Sequence, residues 1–487
     1  TGRPLMLEEY TNLGNKRCEL SLAERRFSYM IYEDYAKCLE SEGKWDQADR
    51  VLCLFTKLRH TDAKLADFLY VDEVQDMTQT ELGLLVIAVG RNPEHMFLVG
   101  DTAQSISQGV DFRFGDLRSV IYSFCDLKKP MEKVKTLQRN YRSHNGILSV
   151  ASKIIDLLHK TFPGSADKLA GDIGLAIGPR VEFLQIEKGN DKAVADVLDY
   201  NGRARLLTFP KGDLEGTDWK ITAGKSSKGN KDDRFAYKPE IKVGSTEHRI
   251  YLICKEFNVD PPLVLDVVQS KGLEFSDVMI VDFFKDIPEA RQKSWQNILL
   301  DSFIHTRNTN VAVDREVQRD LKLLYTAITR CCNKLTFVET GPSKAGSAFR
   351  RFLEHFDLSQ DYVPPPPDAN RQDLRMTKDE WTIQGIDIAS SVDLDLDITG
   401  AEDTLYKAKM CFERNDDGKM IRRVDAMIMA ARVRRIQEGK ERMELSSKAV
   451  TEFLQLGMVD EAISLLERTS DNPYLERAIK MLKCLRK

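Results

Sequence analysis

Two adjacent carboxylates, Asp72 and Glu73, follow an apolar and aromatic run that extends from Phe68 to Val71. Parallel strands of α/β proteins are buried on both faces and appear as continuous hydrophobic runs, so this pattern predicts a buried strand that ends at the acidic pair. An aspartate at a strand end can hold Mg²⁺ on the phosphates of a nucleotide, and a neighbouring acid can orient or deprotonate the attacking water. The pair therefore predicts the catalytic corner of a nucleotide hydrolase, and a strand that meets a solvated turn is the alternative.

A second apolar run, which ends in polar residues, extends from His95 to Ile106 and has the sequence HMFLVGDTAQSI. A helix is predicted between the two strands from Thr78 to Val89, because its leucines and valines recur at helical spacing. One strand-helix-strand step therefore brings two polar strand ends together. Three further blocks follow in order: LQRNYRS at 137–143, VVQSKGLEF at 267–275 and LLYTAITR at 323–330.

The five blocks in this order resemble those of the UvrD/Rep-like group of superfamily 1 helicases, which read DExxQD, GDxxQSI, NYRS, SKGLEF and LYVAxTR. The segment at 100–119, GDTAQSISQGVDFRFGDLRS, also resembles large eukaryotic proteins that join a UvrD-like helicase region to tetratricopeptide and ankyrin repeats. The resemblance covers about residues 6–339. It implies an α/β fold of the P-loop NTPase class, with two RecA-like domains, the first incomplete, followed by an all-α tetratricopeptide-like tail.

The resemblance assigns a catalytic task to five residues. Asp72 is implied to hold Mg²⁺, Glu73 to be the catalytic base, and Gln104 to sense the γ-phosphate and couple it to the nucleic-acid groove. Arg142 and Arg330 are implied to reach the γ-phosphate from the second domain, where guanidinium groups would stabilise the charge of the transferring phosphoryl group. The alternative for the two arginines is a surface salt bridge.

Five more residues are implied to contact the ligands, which are ATP, Mg²⁺ and single-stranded nucleic acid, DNA in preference to RNA. Glu274 resembles the acidic residue near the ribose, Tyr141 would pack on the adenine or else belong to the core, and Gly272 is expected in a turn. Phe112 and Phe114 stand where relatives contact single-stranded DNA, and base stacking on aromatic rings is the physical reason. Buried packing of these two rings is the equal alternative.

The glycine-rich loop G-x-x-x-x-G-K-[ST], which cradles the phosphates of ATP in this class, does not precede Asp72. The nearest string is Gly224-Lys225-Ser226, but Trp219 stands where its first glycine belongs. Because residue 1 is Thr and the chain opens in a charged helical region, we expect a fragment whose loop lies upstream and which is inactive alone. The alternative is a catalytically silent scaffold that binds proteins through its helical tail.

The composition indicates a multidomain intracellular protein with ample core, since 42% of the 487 residues are hydrophobic and 30% are charged. The net charge of −4 gives no general attraction to nucleic acid, although a translocase can confine positive charge to one groove. Nine cysteines occur without a repeated C-x-x-C pair, which argues against a zinc site or a disulfide framework and favours the nucleus or cytoplasm. Apolar runs long enough to span a membrane are absent from the sequence.

Local segments help to divide the sequence into five predicted regions. Pro364 to Pro367 favours an extended spacer, and Lys211 to Glu247 is expected to form a loop because it is rich in Lys, Gly, Ser and Asp. In the tail, Gly457 to Ala462 resembles the turn of a tetratricopeptide unit, and a generic helical bundle is the alternative. The predicted regions are a helical insertion of the first motor domain at 1–60, the C-terminal part of the first RecA-like domain at 61–130, the second RecA-like domain at 131–345 with a divergent insert at 163–257, a proline-rich linker at 346–376, and a helical, tetratricopeptide-like region at 377–487.

Overall fold

The computed structural model forms two compact units, which are residues 1–136 with 163–169, and residues 137–162 with 170–487. Three sequence features lie wholly or mostly outside the described residues: the predicted loop up to residue 244, the Gly224-Lys225-Ser226 string within it, and Pro365 to Pro367. The described residues are 3–14, 20–61, 64–107, 112–125, 131, 133–168, 171–210, 245–302, 316–364, 376–392, 400–436 and 439–469.

The first unit begins with helices and continues with one strand-helix-strand step, as the sequence predicts. The predicted helix from Thr78 is present, and a capping box begins it, because Thr78 Oγ1 accepts from Glu81 N and the Glu81 carboxylate accepts from Thr78 N. The elements are α1 (Leu7–Thr11), α2 (Leu22–Ser41), α3 (Gln47–Leu58), β1 (Leu69–Val71), α4 (Gln79–Ala88), β2 (Met96–Leu98) and α5 (Phe114–Phe124).

Among the described residues, strands β1 and β2 form a two-stranded parallel sheet that packs on one side only. Tyr70 pairs with Phe97 in the sheet, and their side chains are 77% and 62% exposed. The burial on both faces that the sequence predicts for β1 is therefore wrong within the described residues, because helices cover a single face of this sheet. That covered face contacts the buried residues Val74, Leu82, Val86, Phe112, Leu117, Val120, Ile121 and Cys125.

The second unit is built on a six-stranded, all-parallel sheet in the order β10-β5-β9-β8-β6-β7. A separate pair, β3 and β4, is also parallel. The mixed α/β fold with a parallel sheet is therefore confirmed. The strands are β3 (Arg139–Asn140), β4 (Ile173–Gly174), β5 (Val181–Ile186), β6 (Arg205–Thr208), β7 (Val264–Asp266), β8 (Phe275–Val281), β9 (Cys331–Thr340) and β10 (Ser359–Asp361).

Helices cover both faces of the six-stranded sheet. One face packs against two helices through residues such as Leu198 and Ile253, and the other carries an aromatic cluster that includes Trp295, Phe337 and Phe349. The helices of the sheet region are α6 (Asn145–Thr161), α7 (Asp191–Tyr200), α8 (Thr246–Phe257), α9 (Phe283–Asp286), α10 (Glu289–Asp301), α11 (Glu316–Thr329) and α12 (Lys344–His355).

Two predicted boundaries are corrected by this sheet. The prediction of a divergent insert at 163–257 is wrong for the residues that form β5, α7, β6 and α8. Strands β5 and β6 hydrogen-bond directly to β9 and β8 and therefore belong to the sheet. The predicted linker does not begin at residue 346, because α12 buries Phe349 and Phe352 and because β10 pairs with β5. Hydrogen bonding and burial both place residues 346–361 within the sheet region.

The tail of the second unit is helical, and each helix packs on the next one in the chain. The predicted turn at Gly457 is present: Gly457 adopts a positive φ of 75°, and Met458 N donates to Phe453 O over 2.8 Å. Among the described residues, no helix has both the length and the apolar composition that crossing a membrane requires. The tail helices are α13 (Lys378–Ser390), α14 (Ala401–Arg414), α15 (Gly418–Arg435), α16 (Lys440–Gln455) and α17 (Val459–Thr469).

Candidate functional site

The carboxyl ends of β1 and β2 lie side by side in the first unit. Val99 N donates to Val71 O over 2.8 Å, and Val74 N donates to Val99 O over 3.0 Å. A short 3₁₀ turn at Val74–Asp76 then follows β1, and another at Thr102–Gln104 follows β2. The parallel register therefore brings the DEVQD and GDTAQS blocks to one edge of the sheet, where polar side chains converge.

Gln75 connects the two blocks through two hydrogen bonds and holds Glu73 of its own block through a third. Its side chain is fully buried; Oε1 accepts from Asp101 N over 3.1 Å, and Nε2 donates to the Glu73 carboxylate. Its backbone oxygen accepts from Ser105 Oγ over 3.4 Å. Sequence reasoning did not single out Gln75. The signal that could have found it is the glutamine of the DExxQD block, an uncharged donor and acceptor in an otherwise acidic segment.

The acidic pair has a constrained backbone. Glu73 adopts a left-handed conformation with a φ of 54°, and its N–H donates to Asp72 Oδ1 over 2.8 Å. Such a conformation in a residue other than glycine costs about 1–3 kcal/mol and is concentrated at functional sites. The side chain of Asp72 is exposed, whereas that of Glu73 is half-buried and held by Gln75. The turn therefore presents one carboxylate to solvent and fixes the other.

Gln104, the predicted γ-phosphate sensor, lies in the same corner. Its Nε2 donates to Asp101 Oδ2 over 2.9 Å, and Asp101 Oδ1 accepts from Ala103 N over 3.0 Å. Asp101 therefore orients Gln104 and caps the second turn, while its own N–H is bound by Gln75. The structure brings Asp72, Glu73 and Gln104 together through this network.

Gly100 permits the close approach of the two blocks. A Cβ atom at this position would lie 2.9 Å from Val74 Cγ1 and would overlap the side-chain oxygen of Gln75. Both neighbours are fully buried, so neither can withdraw without disturbing the core. The glycine of GDTAQS is therefore required by packing.

The rings of Phe112 and Phe114 pack on each other in the first unit. Their centroids are 5.4 Å apart with an interplanar angle of 81°, and Phe112 is 3% exposed. Phe114 N donates to Asp167 Oδ2, and Asp167 N donates to Thr102 Oγ1, which ties this segment to the second turn. The structure places Phe112 as the packing alternative expects, with its ring in the core.

In the second unit, a cleft brings together residues of the NYRS and KGLEF blocks. Arg142 forms a partly exposed ion pair with Glu274 at this cleft, as the surface salt-bridge alternative expects for Arg142. Tyr141 is 76% exposed, which excludes the core alternative for that ring. Asn140 Oδ1 accepts from the N–H groups of Arg142 and Ser143, each over 2.9 Å, and so shapes the turn. The cleft is lined by Leu137, Arg139, Asn140, Tyr141, Arg142, Asp172 and Glu274.

Arg330 is placed differently from Arg142. Its side chain is buried, Nε donates to Thr326 O over 3.2 Å, and one terminal nitrogen donates to Leu273 O over 3.1 Å. The surface salt-bridge alternative is therefore wrong for Arg330, which instead supports the KGLEF block. Gly272 in that block has a φ of 79°, as a turn glycine requires. Arg330 as a contact of the γ-phosphate stays a prediction.

Comparison with known proteins agrees with the predicted resemblance. Residues 6–120 match the UvrD/REP helicase N-terminal domain. TPR and ankyrin repeat-containing protein 1 of Homo sapiens is 30% identical over 427 residues, which are 78% of this chain. The chain spans only 13% of the length of that relative. These two matches confirm the resemblance: residues 6–120 are similar to the N-terminal domain of UvrD/REP helicases, and the chain is similar to a protein with tetratricopeptide and ankyrin repeats.

Proposed function

We propose that this chain is part of a UvrD-like, ATP-dependent motor that couples Mg²⁺-dependent ATP hydrolysis to movement on single-stranded nucleic acid, DNA in preference to RNA. The observation that carries the proposal is the Gln75 network, which joins Glu73 and Asp101 at the ends of two parallel strands. This network lies within the residues that match the helicase domain. The left-handed backbone of Glu73 is of a kind that is concentrated at functional sites, which supports a functional role for this network.

The residues of the acidic corner fit Mg²⁺ and ATP. Mg²⁺ keeps several waters and binds through one or two carboxylates together with the phosphates of the substrate, and the exposed Asp72 suits such a partial donor set. Bound Mg²⁺ would neutralise charge on the phosphates. Glu73, held by Gln75 beside Asp72, would orient and deprotonate the attacking water, and Gln104 would contact the γ-phosphate.

Residues of the second unit have proposed roles of their own. Arg142 and Arg330 would stabilise the γ-phosphate, Tyr141 would stack on the adenine, and Glu274 would bind the ribose. The exposure of Tyr141 at an open cleft supports its assignment. For Arg142 and Glu274 the roles require the ion pair that they now form with each other to open. For Arg330 the role requires its guanidinium to leave the backbone oxygens that it now contacts.

The proposed domains follow from these roles. The first unit would hold part of a RecA-like domain, preceded by the helical insertion at 1–60. The six-stranded sheet would be the second RecA-like domain, and its all-parallel strand order supports that proposal. The helices from 378 onward would form the tetratricopeptide-like tail, which is supported by the packing of each helix on the next.

A catalytically silent scaffold is the second candidate. It is favoured by the sequence itself, which contains no G-x-x-x-x-G-K-[ST] string. In this case the helical tail would bind proteins, and the acidic corner would hold the fold together without turnover. The two candidates differ in one measurable property, the release of phosphate from ATP.

The test is phosphate release from ATP with and without single-stranded DNA, for this chain and for a version extended upstream. Each form is measured beside Glu73→Gln and beside Glu94→Gln, an exposed glutamate of the same unit that serves as the matched control. We expect DNA-stimulated turnover in the extended form, lost by about 100-fold or more in Glu73→Gln and kept in Glu94→Gln. Silence of both forms, with no binding of ATP, would overturn the motor and leave the scaffold.

A further inference from the structure

The segment from Asp266, the last residue of β7, to Glu274, which directly precedes β8, is here named the 266–274 loop and includes Gly272 of the KGLEF block. The loop begins with a reciprocal pair of hydrogen bonds, because Asp266 N donates to Gln269 Oε1 over 3.0 Å and Gln269 N donates to Asp266 Oδ1 over 2.8 Å. Ser270 N then donates to Asp266 O over 3.1 Å. Gln269 Oε1 therefore lies at the centre of the turn that leads to Glu274.

A lysine of the helical tail binds the same oxygen. Lys407 on α14 is 2% exposed, and its Nζ lies 2.7 Å from Gln269 Oε1 and 3.7 Å from Glu247 Oε2 of α8. A buried ammonium group is costly unless it is paired and hydrogen-bonded, so these two acceptors are what makes its burial possible. The tail thereby contributes a buried cation to the start of the 266–274 loop.

An aromatic contact fixes the tail beside the loop. The guanidinium carbons of Arg205 on β6 and Arg414 on α14 lie 4.9 and 4.4 Å from the ring centroid of Trp381 on α13. Arg414 also donates to Pro261 O, at the approach to β7. Cation–π contacts gain strength when they are desolvated, and Arg205 is 3% exposed. The position of Lys407 is therefore set by a tail that is anchored on the sheet.

The other end of the loop is held by the AITR block. Arg330 donates to Leu273 O over 3.1 Å, and Phe275 N donates to Arg330 O over 2.9 Å. The loop thus has two supports, Arg330 from the sheet region at its end and Lys407 from the tail at its start. The first support belongs to the blocks that the sequence singled out, and the second does not.

We propose that the helical tail is the structural support of the 266–274 loop and that Lys407 is its positioning residue, which sets where Glu274 is presented. The part of this inference that concerns nucleotide binding rests on the proposed function. When the tail helices move relative to the sheet, the geometry of the KGLEF block changes with them. The tail is then a component of the nucleotide site as well as a surface for partners.

Hydrogen exchange of the loop amides in the full chain tests the support directly. We compare wild type with Lys407→Met and with the matched control Lys409→Met, because Lys409 lies on the same helix but pairs with Asp425 inside the tail over 2.6 Å. Exchange at residues 270–273 is expected to accelerate about tenfold in Lys407→Met and to stay unchanged in Lys409→Met. Wild-type exchange rates in Lys407→Met would overturn the proposal.

A double variant separates the contact from the folding of the chain. Lys407→Met leaves Glu247 without its buried counter-charge, which by itself could unfold the unit. Lys407→Met with Glu247→Gln removes both charges and still breaks the contact to Gln269. We expect this chain to keep the far-UV circular dichroism of wild type and to show the same fast exchange in the loop. A folded double variant with wild-type exchange would refute the role of Lys407.

Steady-state kinetics of the upstream-extended protein test the nucleotide part. Lys407→Met is expected to raise the KM for ATP severalfold with a smaller change in kcat, because Glu274 is proposed to bind the ribose and takes no part in the chemical step. Lys409→Met is expected to match wild type. An unchanged KM in a variant with fast loop exchange would overturn this part. Absence of turnover in all proteins would instead refute the proposed function, and the exchange result would stand.

Discussion

The sheet of the first unit and the six-stranded sheet of the second unit position chemical groups in different ways. In the first unit, the pair β1 and β2 exposes Tyr70 and Phe97 on one face, and the polar residues at its end are held by the buried Gln75. In the second unit, helices cover both faces of six strands, and large aromatic rings fill one of the two layers. The end of the first sheet is therefore held by hydrogen bonds, whereas the six-stranded framework of the second unit is held by apolar packing on both faces.

The largest expected effect is on the packing of the second sheet. Phe349 on α12 is fully buried and contacts Phe284, Phe337 and Phe352, so Phe349→Ala should lower the free energy of unfolding of this unit by about 3–5 kcal/mol. Urea denaturation followed by tryptophan fluorescence measures this change, since Trp295 lies in the same aromatic cluster.

The matched control for that substitution is Phe97→Ala on the first sheet. Its side chain is 62% exposed, so truncation should change stability by less than about 1 kcal/mol. Similar losses for Phe97→Ala and Phe349→Ala would show that the first sheet is as dependent on its aromatic side chains as the second, and would break the comparison.

The next effect concerns the polar network of the first unit. Gly100→Ala forces a Cβ against Val74 and the Gln75 side chain and should cost about 1–3 kcal/mol, because it separates Gln75 from Asp101 N and leaves buried groups unpaired. Thermal unfolding and the hydrogen exchange of Asp101 measure this loss.

Gly115→Ala is the control for Gly100→Ala in the same unit. Nothing lies within 4 Å of a Cβ built at Gly115, which is in α5, and alanine favours a helix over glycine by about 1 kcal/mol. We therefore expect Gly115→Ala to be neutral or stabilising. Equal stability of the Gly100→Ala and Gly115→Ala variants would mean that the DEVQD and GDTAQS blocks are not tightly packed at Gly100.

What the sequence could predict in this chain is what depends on neighbouring residues. The run from Phe68 to Val71, the helix after Thr78 and the turn at Gly457 each follow from local patterns, and all three are present. The ordered blocks also indicated which side chains would converge in the first unit. Local hydrophobicity and turn chemistry are sufficient for these features because no distant partner decides them.

What the sequence could not predict depends on distant partners. Val181 pairs with Ser359, far away in the chain, so β5 and β10 were missed and their regions were interpreted as an insert and a linker. The burial of Arg330 and the bridging role of Gln75 depend on tertiary contacts in the same way. Short strands whose pairing partners lie far away in the sequence give only a weak local signal. The identity of a polar residue gives no signal about whether its side chain is buried.

The sharpest test of how the second sheet tolerates polar groups concerns Glu339 at the end of β9. Its side chain is buried, Oε1 accepts from Phe284 N over 3.2 Å, and Oε2 has no hydrogen-bond partner within the described part of the chain. Burial, and then the negative charge of Asp282, raise the pKa of the Glu339 carboxyl well above its usual value of 4.5. A neutral carboxyl is therefore the form that packing accepts.

The sign of the resulting pH dependence follows from this raised pKa. The stabilisation by the protonated Glu339 is complete below the usual pKa of 4.5, which applies in the unfolded chain, and is lost as the pH rises through the higher pKa of the folded chain. Glu339→Gln resembles the protonated form. The free energy of unfolding of the variant should match that of wild type near pH 4 and exceed it increasingly at higher pH, by at most about 1.4 kcal/mol for each pH unit.

The control is Glu354→Gln, at an exposed partner of Arg350, and it should follow the wild-type curve. Urea unfolding between pH 4 and 8 decides the matter: parallel curves for wild type and Glu339→Gln would mean that Glu339 is ionised in the folded chain, and that the second sheet, like the first, holds a charge by polar contacts.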